Sequence, residues 1–279
     1  MRFEEYLMYE STLSHFSSLA RQKADILNQH PIAFFISAMM AGAYIGLGII
    51  LIFSVGALVD PALQKLVMGV SFGMALTLVL FAGAELFTGH TMYMTIGCYR
   101  GITSVSELLR VWSASWIFNF FGAVILALVF MMSGGGVLTH EGASLMNKVA
   151  TYKMNSSATE LVARGALCNW LVCLALWMSA RTKSDTAKTI FIFWCLFAFI
   201  ASGYEHSVAN MTLLSIALLA EPTQSITLSG MSHNLAWVTL GNIIGGAVFM
   251  GFGYIGASPM HVEAHNRAQS PPPKSLNIP

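Results

Sequence analysis

Three stretches of this chain, at roughly 31–58, 66–84 and 111–133, run without a single Asp, Glu, Lys or Arg. A helix of about 20 residues crosses a bilayer core some 30 Å thick, so each stretch predicts a membrane span. Residues 161–180, 189–220 and 229–257 qualify as well, although Glu205 and His206 interrupt the middle one. The second stretch is similarly followed by Glu85 and then a further apolar run from Leu86 to Tyr99. The reading is an all-α polytopic membrane protein with six spans, of which the second and fifth are broken. Only 10% of residues are charged, far below the roughly 25% usual in soluble domains, which excludes a soluble fold. A formal net charge of +1 leaves no basic field for nucleic acid.

The flanks read differently. The opening MRFEEYLMYE holds three glutamates where a signal peptide needs a basic region and an apolar core. Leu13, Phe16, Ala20, Ala24 and Leu27 recur at helical spacing, so residues 1–29 predict an amphipathic cytoplasmic helix touching the bundle or the lipid interface. Residues 30–257 form the six-span body, and 258–279, rich in proline and polar groups, predict a disordered tail. With the N-terminus inside, cytoplasmic segments hold ten Lys and Arg residues (Arg2, Arg21, Lys23, Arg100, Arg110, Arg181, Lys183, Lys188, Arg267 and Lys274) against Lys65, Lys148, Lys153 and Arg164 outside. Cytoplasmic loops accumulate such residues, so both termini are expected in the cytoplasm.

An internal repeat organises the spans. Gly42-Ala43 answers Gly165-Ala166, Gly83-Ala84-Glu85 answers Gly203-Tyr204-Glu205, and Asn119 with Gly122 answers Asn242 with Gly245, at offsets of 123, 120 and 123. Each half holds three spans, an odd number, so the halves enter the membrane from opposite sides as an inverted repeat. Such folds carry their substrate between the halves at discontinuous helices. The corresponding breaks are 81–92 and 201–211, each with a glycine and a glutamate. Irregular backbone survives at membrane depth only beside protein or a water-filled cavity. Half-helix N-termini exposed there favour an anion.

At these segments the chain resembles a known family. GAELFTG at 83–89, ALCNWLVCLALWMS at 166–179 and ASGYEHSVANM at 201–211 are similar to the signatures of the formate/nitrite transporter family, over the body from about residue 30 to 257. Overall likeness is greatest to its bacterial nitrite channel branch. The resemblance implies an aquaporin-like protomer in a homopentamer of the bacterial inner membrane. It also implies one pore per protomer for nitrite, formate or hydrosulfide, and no cofactor. By position, the family's central pore histidine falls on His206, with Glu205 before it and Asn169 and Asn210 nearby. The threonine of the broken second helix falls on Thr88, in the loop beside Leu86 and Phe87. The cytoplasmic constriction falls on Phe72, Leu76 and Phe199, and the vestibule's basic residue on Lys153.

Plainer roles compete at several positions. Glu85 and Glu205 are expected to satisfy the free backbone N–H groups of the breaks, and Asn119, Gly122, Asn242 and Gly245 to serve helix packing. Lys153 is either a solvated loop lysine or a steering charge for anions. His90, His140, His233, His261 and His265 lack the i+3 or i+4 partner of a metal pair, and Cys98, Cys168, Cys173 and Cys195 lack CxxC spacing. No metal site or disulfide is expected.

The mechanism expected rests on His206, the one midplane group able to change charge near neutral pH. Anion entry is coupled to protonation of its imidazole, with Thr88 and Asn169 orienting the anion, and the pore is either passive or proton-coupled. A neutral-solute channel of aquaporin type predicts paired Asn-Pro-Ala breaks, which this sequence lacks. A haem-bearing membrane enzyme predicts facing histidine pairs and a coloured preparation, so the chain is not read as an enzyme.

Overall fold

Within lipid, only helices satisfy their backbone groups segment by segment. The computed structural model describes residues 3–220 and 224–258, and these are almost entirely helical. Arg2, Arg267, Lys274 and the tail from 259 onward fall outside the described residues. Helix α1 (Phe3–Gln29) carries the expected apolar face. Leu13, Phe16, Ala20, Ala24 and Leu27 are all buried, so it lies against the bundle. Phe16 stacks on Tyr93 at 5.0 Å and on Trp177 at 5.6 Å.

Among the described residues, six helical runs are long and apolar enough to cross a membrane: α2 (Pro31–Ala57), α3 (Gln64–Ala82), α5 (Val105–Met132), α7 (Ala158–Ala180), α8 (Asp185–Ser202) and Leu228–Ala257. The last comprises α10 (Leu228–Ile243), a π-helical stretch at Ile244–Phe252 and α11 (Gly253–Ala257). Shorter helices α4 (Phe87–Tyr99) and α9 (Ser207–Ala220) continue the second and fifth spans after their breaks. The segment read as an outer loop folds in part into α6 (Ala143–Asn155). Ser104 opens α5 and Ser157 opens α7, each in a reciprocal capping box with a glutamate three residues on.

The inverted repeat is present. In one half α2 packs on α3 and α5; in the other α7 packs on α8 and α10, and α3 meets α8 across the seam. Its register in the first span of each half needs correction. A Cβ on Gly122 would collide with the Met39 carbonyl, and one on its counterpart Gly245 with the Ala166 carbonyl. The Glu85 amide donates to Ser37 O and the Glu205 amide to Arg164 O, both at 3.3 Å. Both comparisons set the offset at 127, so Ala38, not Gly42, is the counterpart of Gly165. Small residues stand a turn apart at Ala38 and Gly42, and sequence alone does not say which faces the crossing helix.

Candidate functional site

Both breaks are built alike. Helix α3 ends in Gly83 and α8 in Gly203, each at φ 75°, a left-handed conformation that glycine adopts without a Cβ penalty. Three non-helical residues follow in each: 84–86 before α4 and 204–206 before α9. The first amides of a helix lack an intrahelical acceptor, and here two buried asparagines meet part of that need. Asn119 Oδ1 accepts from the Phe87 amide at 2.9 Å, while its Nδ2 donates to Ala38 O at 2.7 Å and Glu85 O at 2.9 Å. Asn242 Oδ1 accepts from the Ser207 amide at 2.9 Å, while its Nδ2 donates to Gly165 O at 2.9 Å and Glu205 O at 3.0 Å.

Two expectations therefore change. The backbone of the breaks is satisfied by Asn119 and Asn242, which serve as more than packing residues, and the carboxylates of Glu85 and Glu205 bind side chains instead. An amide supplies donor and acceptor together, which a break with both N–H and C=O groups exposed requires, whereas an ionised carboxylate only accepts.

The two half-helices converge. Thr88 Oγ1 of α4 lies 3.1 Å from Nε2 of His206, the residue just before α9. Thr88 stands in the first turn of α4 and not in the loop. His206 Nδ1 accepts from the Ala209 amide at 3.2 Å, so the neutral ring carries its hydrogen on Nε2, facing Thr88. Nε2–H donating to Thr88 leaves the threonine hydroxyl hydrogen available for a permeating species. The amides of Thr88, Gly89 and Val208 lie in first turns and have no intrahelical acceptor. The inner ends of α4 and α9 thus bring partial positive charge to one point.

Apolar groups enclose this point. Phe199 stacks near the His206 ring at 6.1 Å and meets Phe72 edge-on at 5.5 Å. Leu76, a turn from Phe72, faces a cavity of about 250 Å³ together with Leu86. Phe87 is buried in the core. Asn169 is committed elsewhere than to an anion: its Nδ2 serves Thr88 O at 3.2 Å, Thr91 Oγ1 at 2.9 Å and Asn242 O at 2.6 Å. It positions Thr88. Gly246, in the π-helical stretch, makes room for that amide, since a Cβ there would come within 2.7 Å of Asn169 Nδ2.

Each end of the path carries a lysine–glutamate pair. Lys153 lies in α6 with its side chain only 15% exposed, and its Nζ meets Glu205 Oε2 at 2.7 Å. It is neither a loop residue nor a free surface charge; α6, unseen in the sequence, folds it inward against the break. Asn210 Nδ2 also donates to Glu205 Oε2 at 2.6 Å and to Asn234 Oδ1 at 2.8 Å, while Asn234 Nδ2 donates to Lys153 O at 2.9 Å. At the opposite mouth Lys23 Nζ of α1 meets Glu85 Oε1 at 2.7 Å, and His90 Nε2 meets Glu85 Oε2 at 2.8 Å. Lys23, His90 and Asn234 escaped the reading of the sequence as site residues. The repeat offset of 120 already paired His90 with Asn210, and that was the available signal. The cavity of about 250 Å³ lies at the α1 mouth and shares Leu19, Leu80, Tyr93 and Leu176 with a second, of about 410 Å³, that reaches His15 and Lys188.

Comparison with known proteins agrees with this geometry. A family model described as "Formate/nitrite transporter" matches residues 11–256. The nitrite transporter NirC of Salmonella typhimurium (strain LT2) is 47% identical over 98% of this chain and 98% of its own length. A solved structure described as an FNT family ion channel superposes with a TM-score of 0.87 at 49% identity, over 90% of this chain and all of that one. A pentameric formate channel with formate bound superposes with a TM-score of 0.70 at 27% identity, over 81% of this chain and 96% of that one.

Proposed function

The chain belongs to the formate/nitrite transporter family, and from that premise we propose that it is a nitrite pore of the bacterial inner membrane. The observation that carries the reading is the meeting of two opposed half-helix N-termini at Thr88 and His206, 3.1 Å apart. Two positive dipole ends, uncapped first-turn amides and a threonine hydroxyl offer hydrogen bonds to a small anion without a fixed cation at the centre. Phe72, Phe199, Leu76 and Leu86 keep hydrated cations out around it. Its identity to NirC supports nitrite as the anion.

His206 supplies the proton-responsive element, because an arriving anion stabilises its protonated ring electrostatically. Thr88 and His206 contact the anion, Asn169 and Asn210 hold the breaks in place, and Lys23 and Lys153 with their glutamates set the charge of the two mouths. The α1 mouth faces the cytoplasm, with both termini on that side, in keeping with the distribution of Lys and Arg. Likeness to the pentameric formate channel supports a homopentamer with one pore per protomer.

Purified protein in sealed vesicles, given nitrite, formate, chloride, nitrate or glycerol across a pH series, tests the reading. Saturable nitrite flux exceeding that of chloride is expected, from particles of five times the 30.2 kDa chain. Formate flux exceeding nitrite flux would move the substrate to the family's other branch. Glycerol flux with none of the anions would refute the anion pore.

A further inference from the structure

At the two mouths the carboxylate of the break receives a lysine and one further side chain, and that second partner differs. Where Glu205 receives Asn210, Glu85 receives His90. An amide, which does not titrate, is thus replaced by an imidazole, whose charge changes between about pH 5 and 8. In the other half an asparagine meets the matching carboxylate.

We propose that His90 is a second proton-binding site of the path, whose protonation from the α1 side sets the net charge of that mouth and hence its occupancy by the permeating anion. The proposal rests on the anion-pore reading above. Three observations support it. A carboxylate oxygen only accepts, so Nε2–H donates to Glu85 and Nδ1 carries the lone pair. Nδ1 is buried and has no hydrogen-bond partner among the described residues, leaving it the one nitrogen of the cluster free to take a proton. Finally, His90 borders the cavity of about 250 Å³ beside Lys23, Glu85 and Leu86, and at about 30 Å³ per molecule that space holds several waters.

The charges around the ring are few. Lys23 faces the cluster from α1 and Glu85 from the break, and Tyr93 of α4 stands with its ring 6.1 Å away. Phe34 of α2, with its ring 6.0 Å away, and Trp112 of α5, which donates to the His90 carbonyl, do not titrate. Lys23 and Glu85 cancel, so protonating His90 changes the mouth from neutral to one net positive charge. At the α6 mouth Lys153 and Glu205 also cancel, and Asn210 adds nothing. At the carboxylates of the two breaks, the response to pH is therefore asymmetric although the path is built from a repeat.

A unit charge acting on an anion across about 10 Å of mixed protein and water changes occupancy roughly threefold to tenfold. The test uses the full-length protein in planar bilayers, with pH varied in one chamber at a time and the α1 side identified by proteolysis of an N-terminal tag. Nitrite current through the wild type is expected to respond to α1-side pH by that factor. His90→Asn, which copies the other half, and His90→Gln, which keeps a donor for Glu85, are expected to lose that factor while still conducting, the remaining pH dependence being that of His206. Either variant retaining the full α1-side response would overturn the proposal, as would failure of both to assemble, which would make His90 structural. A wild type with no anion current at any pH would sink the pore reading itself, and this proposal with it.

Discussion

Asn242→Leu removes one side chain of similar volume, orphans two backbone groups and leaves a third with one partner fewer. The Ser207 amide loses its acceptor and the Glu205 carbonyl its donor, while the Gly165 carbonyl, inside α7, keeps its helical donor; the bonds lost measure 2.9, 3.0 and 2.9 Å. Each buried group left unpaired costs about 1–3 kcal/mol, so two cost roughly 2–6 kcal/mol before relaxation. Water from the path can reach the break and recover part of this, which places the expected loss at about 2–4 kcal/mol. That is on the order of thirtyfold or more in the folding equilibrium. Reversible unfolding in mixed detergent and SDS micelles, followed by tryptophan fluorescence, measures it. Asn119→Leu removes the matching bonds, orphaning the Phe87 amide and the Glu85 carbonyl and taking the second donor of the Ala38 carbonyl, and is expected to cost the same within about 1 kcal/mol. Asn155, bonded to Thr151 O and Ser225 O at an exposed site, is the control, and its leucine variant is expected to cost under about 1 kcal/mol. If both buried variants proved as stable as the control, the assignment of backbone satisfaction to these two amides would be wrong.

His206→Asn removes the titratable ring between the half-helices, so the part of the pH dependence of nitrite flux between about 5 and 8 that arises at the centre of the path is expected to be lost, leaving the α1-side response of His90. Anion-over-cation selectivity should persist in reversal potentials, because the dipoles and first-turn amides remain. Lys153→Gln leaves Glu205 without its cation; because the pair is buried, flux is expected to fall by the same factor at 20 mM and 500 mM salt, both on the order of laboratory buffers. A defect that vanished at high salt would restore surface steering as its role. Gly246→Ala drives a methyl group into Asn169 and Thr91, with an expected cost of about 1–3 kcal/mol. Nitrite flux per assembled particle should drop as well, since Asn169 holds the Thr88 carbonyl; unchanged flux would separate this glycine from the path.

What the sequence disclosed depended on the range of the interaction. Span positions follow from hydropathy summed over some twenty residues, and they agree with the helices to within about six positions, the largest gap being the start of α5 at Val105. The breaks were legible because Gly83 and Gly203 each precede a glutamate inside an apolar run, a local conflict with few solutions. Long-range partnerships were not. Glu85 looked like the group that caps its own break, and only the crossing of α5 over α4 brings the Asn119 amide to that task. Lys153 read as surface because α6 has too few apolar residues to announce a helix that tucks its last turn against a break. His90 is visible in the repeat but silent as a histidine, since its partner stands five residues earlier, outside the i+3 and i+4 spacing of a helical pair.

The hydrogen bonds that close the first break come from the first half: Ser37 and Ala38 from α2, Asn119 from α5, Lys23 from α1. The second break is closed in the same way by α6, α7 and α10. During synthesis from the N-terminus, the backbone of the first break consequently waits only until α5 enters the membrane, whereas the Thr88 carbonyl of α4 gains Asn169 from the second half later. Each half is a unit of biogenesis that seals its own defect. The Thr88–His206 contact, which joins the halves, forms after both are sealed, so the conducting path is assembled last from two parts already sound.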